Sequence, residues 1–293
     1  MKKVNVMRNN IEKIFSAFIK FFAFIAISLL ILILIFILKE SIGLFNKVSF
    51  WNFVFGNEWQ PLAFNPQVSI KPIIIATLYV SIIGVMIAVP IGVGFSVFIS
   101  ILVPEKISKV LKAFMNMLAA IPSVVYGFIG LFIIVKFFEV HFSFSTGESV
   151  FGAGILLAIM ILPYIVSICN DTVCKIFKIY KIHSQSLGVS KWYMMNNLIL
   201  PACKESIIAS TILATGRAMG ETMAVMMVIG NCPIMPTIFG RGETIPSLIA
   251  LEMGSARIGS LHYHALFASG FILMLLLLII NAVFYGINRK INI

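Results

Sequence analysis

Residues 21–38 read FFAFIAISLLILILIFIL, eighteen positions without a single charge. Five further apolar segments of comparable length occupy residues 73–100, 114–135, 150–170, 207–230 and 262–286. About twenty apolar residues suffice to cross the hydrocarbon core as a helix. In that medium every backbone N–H and C=O must find its partner inside the segment, which an α-helix provides. The chain is therefore expected to be all-α, a polytopic membrane protein with six transmembrane helices. Pro90 and Pro122 fall inside predicted spans, where neighbouring helices can cover the backbone groups they release.

Charge supports this class. Only 11% of the residues are charged and 60% are hydrophobic, against about 25% charged in soluble domains. The net charge of +11 does not form a nucleic-acid-binding stripe, because the basic residues cluster beside the ends of the apolar segments. With the N-terminus inside, 15 of the 22 basic residues fall on the cytoplasmic side: Lys2, Lys3, Arg8, Lys13, Lys20, Lys106, Lys109, Lys112, Lys175, Lys178, Lys181, Lys191, Lys204, Arg289 and Lys290. Six fall outside: Lys39, Lys47, Lys71, Lys136, Arg241 and Arg257. The positive-inside rule then predicts that both termini are cytoplasmic. The first run ends at Lys39 and Glu40 with no small-residue cleavage site, so it reads as a retained anchor. The predicted organisation is a cytoplasmic segment over 1–20 and one transmembrane domain over 21–290.

Chemistry-bearing residues are few. Cys169, Cys174, Cys203 and Cys232 show no C-x-x-C spacing and read as small packing residues. His141, His183, His262 and His264 lack any metal-ligand spacing. No catalytic cluster and no metal set is expected. The chain contains no G-x-x-x-x-G-K-[ST] loop, so it cannot cradle nucleotide phosphates in that manner. Trp51 and Trp59 fit interfacial anchoring or contact with an outer partner.

One basic residue belongs to no loop. GRAMGETMAV (216–225) sets Arg217 and Glu221 inside an apolar span. On a continuous helix residues four apart share a face, and a charge near the bilayer centre costs roughly 2.5–3.5 kcal/mol on insertion scales. Two readings remain: a structural ion pair, or a polar element of an anion pathway. The longest cytoplasmic insertion, KIFKIYKIHSQSLGVSKWYMMNNLILP (175–201), predicts a short helix, a turn near Gly188 and a second amphipathic helix. That pattern is either an ordinary basic loop or a docking element.

Gly188 followed by Leu198-Ile199-Leu200-Pro201 resembles the signature loop of ABC importer permeases, with Ile182 where the family usually carries an acid. Further stretches resemble the phosphate importers, specifically permeases of the PstC type: ATLYVSIIGVMIAVPIGVGFSVFIS (76–100), LAAIPSVVYGFIGLF (118–132), GRAMGETMAV itself and GSLHYHALFASGFILMLLLLIINAVFYGINRK (259–290). Met219 and Met223-Ala224-Val225 distinguish it from the companion permease. The resemblance implies a type I ABC importer permease fold and a bacterial plasma-membrane location. It implies substrate translocation at Arg217 and Glu221, with Ser123 and Tyr126 either lining the passage or packing beside it. Ser184, Ser186, Leu187, Gly188 and Pro201 become parts of an ATPase-coupling loop. The implied partners are a PstA-type second permease, PstB-type ATPase subunits, a PstS-type extracytoplasmic phosphate-binding protein and membrane lipid. This chain is expected to bind no cofactor, ATP and magnesium residing on the ATPase. An ion-coupled secondary transporter of an anion is the alternative reading.

Overall fold

The computed structural model describes the backbone of residues 2–142 and 146–291, and side chains over 15–142 and 146–286. The basic side chains of Lys2, Lys3, Arg8, Lys13, Arg289 and Lys290 lie outside the described side chains. Helix α1 (Lys2–Phe45) and the short α2 (Phe50–Phe55) are followed by a two-residue antiparallel ladder, β1 (Trp59–Gln60) with β2 (Gln67–Val68). Then come α3 (Lys71–Val97, continued by a π turn to Leu102), α4 (Glu105–Ala120), α5 (Ser123–Ile129, continued by a π turn to Val135) and α6 (Lys136–Phe142). The long α7 (Val150–Ser186) leads through α8 (Lys191–Met194), a π turn and α9 (Leu200–Ala202) into α10 (Lys204–Gly220) and α11 (Met223–Ile229). The described chain closes with α12 (Ile245–Glu252) and α13 (Leu261–Ile291).

Five helices among the described residues are long and apolar enough to cross a bilayer. A sixth results when Lys191–Ala202 and Lys204–Gly220, bent by 60°, count as one. The first, second, fourth and last expected spans each overlap one of these helices. The third does not begin at residue 114, because the chain breaks at Ile121–Pro122 and the spanning helix starts at Ser123. Pro122 cannot donate to a helical carbonyl and biases the residue before it towards an extended conformation; Ile121 has ψ 128°. Residues 105–120 form instead an amphipathic helix, with Val110, Phe114 and Met117 exposed. The expected span over 207–230 is likewise interrupted, at Glu221–Thr222.

Helix α7 is the central post. It is the most buried of the candidate spans, and α3, α4, α10 and α11 all pack on it. Gly154 allows α3 to approach: a Cβ there would stand 2.5 Å from the Ile83 Cγ2. Small residues where helices meet are the usual device for bringing backbones together in lipid. Ser149 caps the start of α7, its hydroxyl accepting from the Gly152 N–H at 3.1 Å. Helix α1 is exposed over its apolar length and meets α13 near its C-terminal end, where Phe36 and Phe267 pack edge to face.

A second core forms at that end. Trp59 is buried, and its Nε1–H donates to both Glu252 carboxylate oxygens at 3.0 and 3.2 Å. Buried His262 places Nε2 2.7 Å from the same carboxylate. Trp59 is thus an interior residue rather than an interfacial anchor, whereas Trp51 is exposed. Nearby Glu243 is 3% exposed, in the segment between α11 and α12. Burial, and then the charge of Glu252, push its carboxyl up to about 7. The folded protein therefore holds a proton that the unfolded chain has released above pH 4.5. This stabilisation is full below that pH and is lost as pH rises through about 7, about 3 kcal/mol in all. The melting temperature is expected to fall by several degrees between pH 5 and pH 8, and Glu243→Gln to flatten that slope. An unchanged slope in the variant would contradict the assignment.

Candidate functional site

The Glu221–Thr222 break decides how the charged pair is arranged. Helix α10 ends at Gly220, and Glu221 is extended at φ −71°, ψ 128°. The two side chains therefore do not share a helical face, and among the described residues they form no ion pair. Glu221 turns to the next element instead: its Oε1 accepts from the Ala224 N–H at 3.4 Å, at the start of α11. A carboxylate there satisfies a helix-terminal donor that has no intrahelical partner.

Arg217 is exposed at the edge of the α10 face that carries the buried Ser210, Ala214 and Ala218, on a stripe with exposed Leu213 and Gly220. Its guanidinium carbon stands 4.0 Å from the centroid of the Tyr164 ring. Tyr164, on α7, donates its hydroxyl to the Ala119 carbonyl at 3.2 Å. Buried Tyr126 donates to the neighbouring Leu118 carbonyl at 2.9 Å. Both carbonyls belong to the last turn of α4, whose final C=O groups have no intrahelical partner. Two tyrosines from different helices thus close the end of α4 at the Ile121–Pro122 break.

The helices that follow the two breaks pack together. Gly127 on α5 lies so close to α11 that a Cβ would stand 2.6 Å from the Met227 Sδ and 3.3 Å from the Ala224 Cα. Irregular backbone at membrane depth is tolerated where protein buries it or where it lines a water-filled cavity. Here an exposed arginine and the end of α4, at the Ile121–Pro122 break, meet at Tyr164, and the second break follows Arg217 by four residues. The Tyr126 hydroxyl is engaged by the Leu118 carbonyl, and Ser123 opens α5 immediately after the Pro122 break. Sequence reasoning does not single out Tyr164. It follows Pro163 within an apolar run, and nothing there separates it from the chain's other aromatic residues.

The region 175–201 has the predicted helix–turn–helix form. Helix α7 continues through it to Ser186, and Gly188 turns the chain at φ 64°, a conformation natural to glycine. Ser190 then caps α8, accepting from the Tyr193 N–H at 3.2 Å. Leu187 is 79% exposed, with Ile182, Trp192 and Tyr193 also uncovered. Ser186 bonds back to the Ile182 carbonyl at 3.0 Å. Ser184 is buried with no partner for its hydroxyl, and Pro201 lies in α9. Among the described residues no group of three or more metal-ligating side chains occurs.

Comparison with known proteins agrees with this architecture. Residues 88–293 match the family described as the binding-protein-dependent transport system inner membrane component. The probable ABC transporter permease protein YqgH of Bacillus subtilis (strain 168) is 34% identical over 234 residues, covering 80% of this chain and 76% of that one. The phosphate transport system permease protein PstC of Pasteurella multocida (strain Pm70) is 34% identical over 293 residues, covering 93% of this chain and 90% of that one. The fold is similar to a chain of a bacterial alginate ABC transporter, solved with its alginate pentasaccharide-bound periplasmic protein. That likeness has a TM-score of 0.62 at 16% identity, covering 91% of this chain and 93% of that one. The chain belongs to the family of binding-protein-dependent transport system inner membrane components, and it has the type I fold of ABC importer permeases.

Proposed function

We propose that this permease carries inorganic phosphate and that Arg217 meets the anion on its way through the membrane. The observation that carries the proposal is an exposed guanidinium that has no carboxylate partner among the described residues, set in a helix that ends at a backbone break. An arginine seated over an aromatic ring is held through its charge, which leaves N–H donors of its guanidinium available to phosphate oxygens. No permanent ion pair has to be broken when the anion arrives, and none traps it afterwards. The similarity to phosphate permeases favours this cargo.

The exposed stripe Leu213–Arg217–Gly220 then faces a second, PstA-type permease across a shared passage. PstB-type ATPase subunits dock on residues 175–201, carrying the ATP and magnesium that this chain does not bind. A PstS-type binding protein delivers phosphate at the end that carries Trp59. The lysine-rich end faces the cytoplasm of a bacterial cell by the positive-inside rule, with both termini on that side.

The test is uptake of radiolabelled phosphate by cells carrying the complete importer. ATP depletion should abolish uptake, and an uncoupler applied at constant ATP should leave it intact. The reverse pattern would indicate an ion-coupled transporter.

A further inference from the structure

A polar cavity lies at the lysine-rich end, between α4 and the extension of α7. It measures about 880 Å³ and has six lysines in its wall. Lys109 and Lys112 come from α4, Lys175, Lys178 and Lys181 from α7, and Lys191 from α8. The three on α7 are spaced by three residues, which turns them towards the same side of the helix. Two acids join them. Glu105 is occupied by Lys109 at 2.8 Å, and Asp171 receives a long bond from the Asn170 amide at 3.5 Å. Among the described residues the other five lysines make no ion pair. Lys112 reaches only the Cys174 sulfur, at 3.7 Å, and Lys181 lies over the Phe177 ring, 5.7 Å from its centroid.

Topology alone asks for basic residues near a membrane end and does not ask that they converge. Here two walls of one concavity set six lysines against only two carboxylates, Glu105 and Asp171. We infer that this cavity binds a phosphate-type anion, distinct from the one that passes Arg217. Lysine ammonium groups act as point-charge ligands for phosphate oxygens, and several together hold a dianion. The aromatic ring in the wall is already covered by Lys181, so a base or sugar finds no stacking platform, and a bare phosphate group is the better fit. The cavity is separate from the translocation element. Tyr164, which holds Arg217, and Cys174, in the cavity wall, are ten residues apart on α7, about 15 Å along the helix. The inference does not depend on which cargo the permease carries.

Two sources supply such a group, free phosphate on the lysine-rich side and the phosphate of an anionic lipid. The assembled importer is placed in nanodiscs of phosphatidylcholine, with or without inorganic phosphate, and in nanodiscs containing phosphatidylglycerol. Melting temperature and binding of labelled phosphate are then measured. A response to inorganic phosphate assigns the free anion, and a response confined to phosphatidylglycerol assigns the lipid headgroup. Either supports the inference if Lys109→Gln with Lys112→Gln, and separately Lys175→Gln with Lys178→Gln, weakens it by about tenfold or more. The corresponding arginine pairs should preserve it, and Arg217→Gln should leave it unchanged. The inference is overturned if neither source produces a response, if both glutamine pairs respond like the unmodified protein, or if the response disappears with Arg217→Gln alone. The two pairs lie on opposite walls, so misassembly of one leaves the other as the test.

Discussion

Arg217→Gln is expected to lower phosphate uptake by about tenfold to hundredfold, the worth of one charge-assisted hydrogen bond to an anion in transit. Assembly should be retained, because the residue is exposed and among the described residues makes no ion pair whose removal would strand a buried charge. Tyr164→Leu removes the ring beneath the arginine, and its expected loss is smaller, about two- to thirtyfold. Tyr164→Phe keeps the ring and gives up only the bond to Ala119, so it should stay near the unmodified rate. Glu221 is read best through two variants. Glu221→Gln retains an acceptor for the Ala224 N–H and Glu221→Ala does not. Near-normal uptake with glutamine and impaired uptake with alanine would assign Glu221 to the start of α11. A loss with glutamine as large as that of Arg217→Gln would assign its charge to the pathway. Uptake measured at matched expression separates these outcomes.

Leu187→Asp should release the ATPase subunits. Leu187 projects from the turn between α7 and α8, 79% exposed, with Trp192 nearby at 64%. Fully burying a leucine side chain against a partner is worth about 1.5–3 kcal/mol. Placing a carboxylate there adds the cost of desolvating a charge. Co-purification of the ATPase is expected to fall by about thirtyfold or more, and ATP-driven uptake with it. The turn rests on Gly188 at φ 64°, with nothing within 4 Å of a Cβ added there. Gly188→Ala should therefore act only through backbone strain, about 1–2 kcal/mol, and weaken coupling less than Leu187→Asp does. Normal co-purification of the ATPase with Leu187→Asp would remove this region from the coupling role.

What is legible in the sequence follows physical lines. Apolar length specifies the spanning helices, because lipid leaves the backbone no other partner. The pattern across 175–201 specifies a helix, a turn at Gly188 and a second helix, since a glycine between amphipathic stretches leaves few alternatives. The breaks are harder to read. Pro122 is visible, yet its effect, converting residues 105–120 into a separate amphipathic helix, depends on the Tyr126 and Tyr164 hydroxyls that close the end of α4. The interruption at Glu221–Thr222 contains no proline, and the local sequence is compatible with continuous helix. For that reason the four-residue spacing of Arg217 and Glu221 suggests a pair that the fold does not form. Tyr164 is invisible for a similar reason: its role depends on the approach of α10 and α4 to α7, a tertiary fact with no local signature. Trp59 and His262, which in the sequence fall in and beside loops, are drawn inside by one carboxylate, Glu252.

The central claim is that the Arg217 face of α10 borders a water-filled passage shared with a second permease, and Gly220 offers the most direct probe of it. Gly220 is exposed on the same stripe, and a Cβ added there meets nothing within 4 Å, so Gly220→Cys should be accommodated without repacking. In the assembled importer, the rate at which a negatively charged, membrane-impermeant thiol reagent modifies the thiol at this position is compared with and without phosphate and its binding protein. The expected result is rapid modification above the background of the four native cysteines, slowed several-fold by phosphate. A position that stays unmodified under all conditions, as it would if covered by lipid or packed protein, would contradict the account.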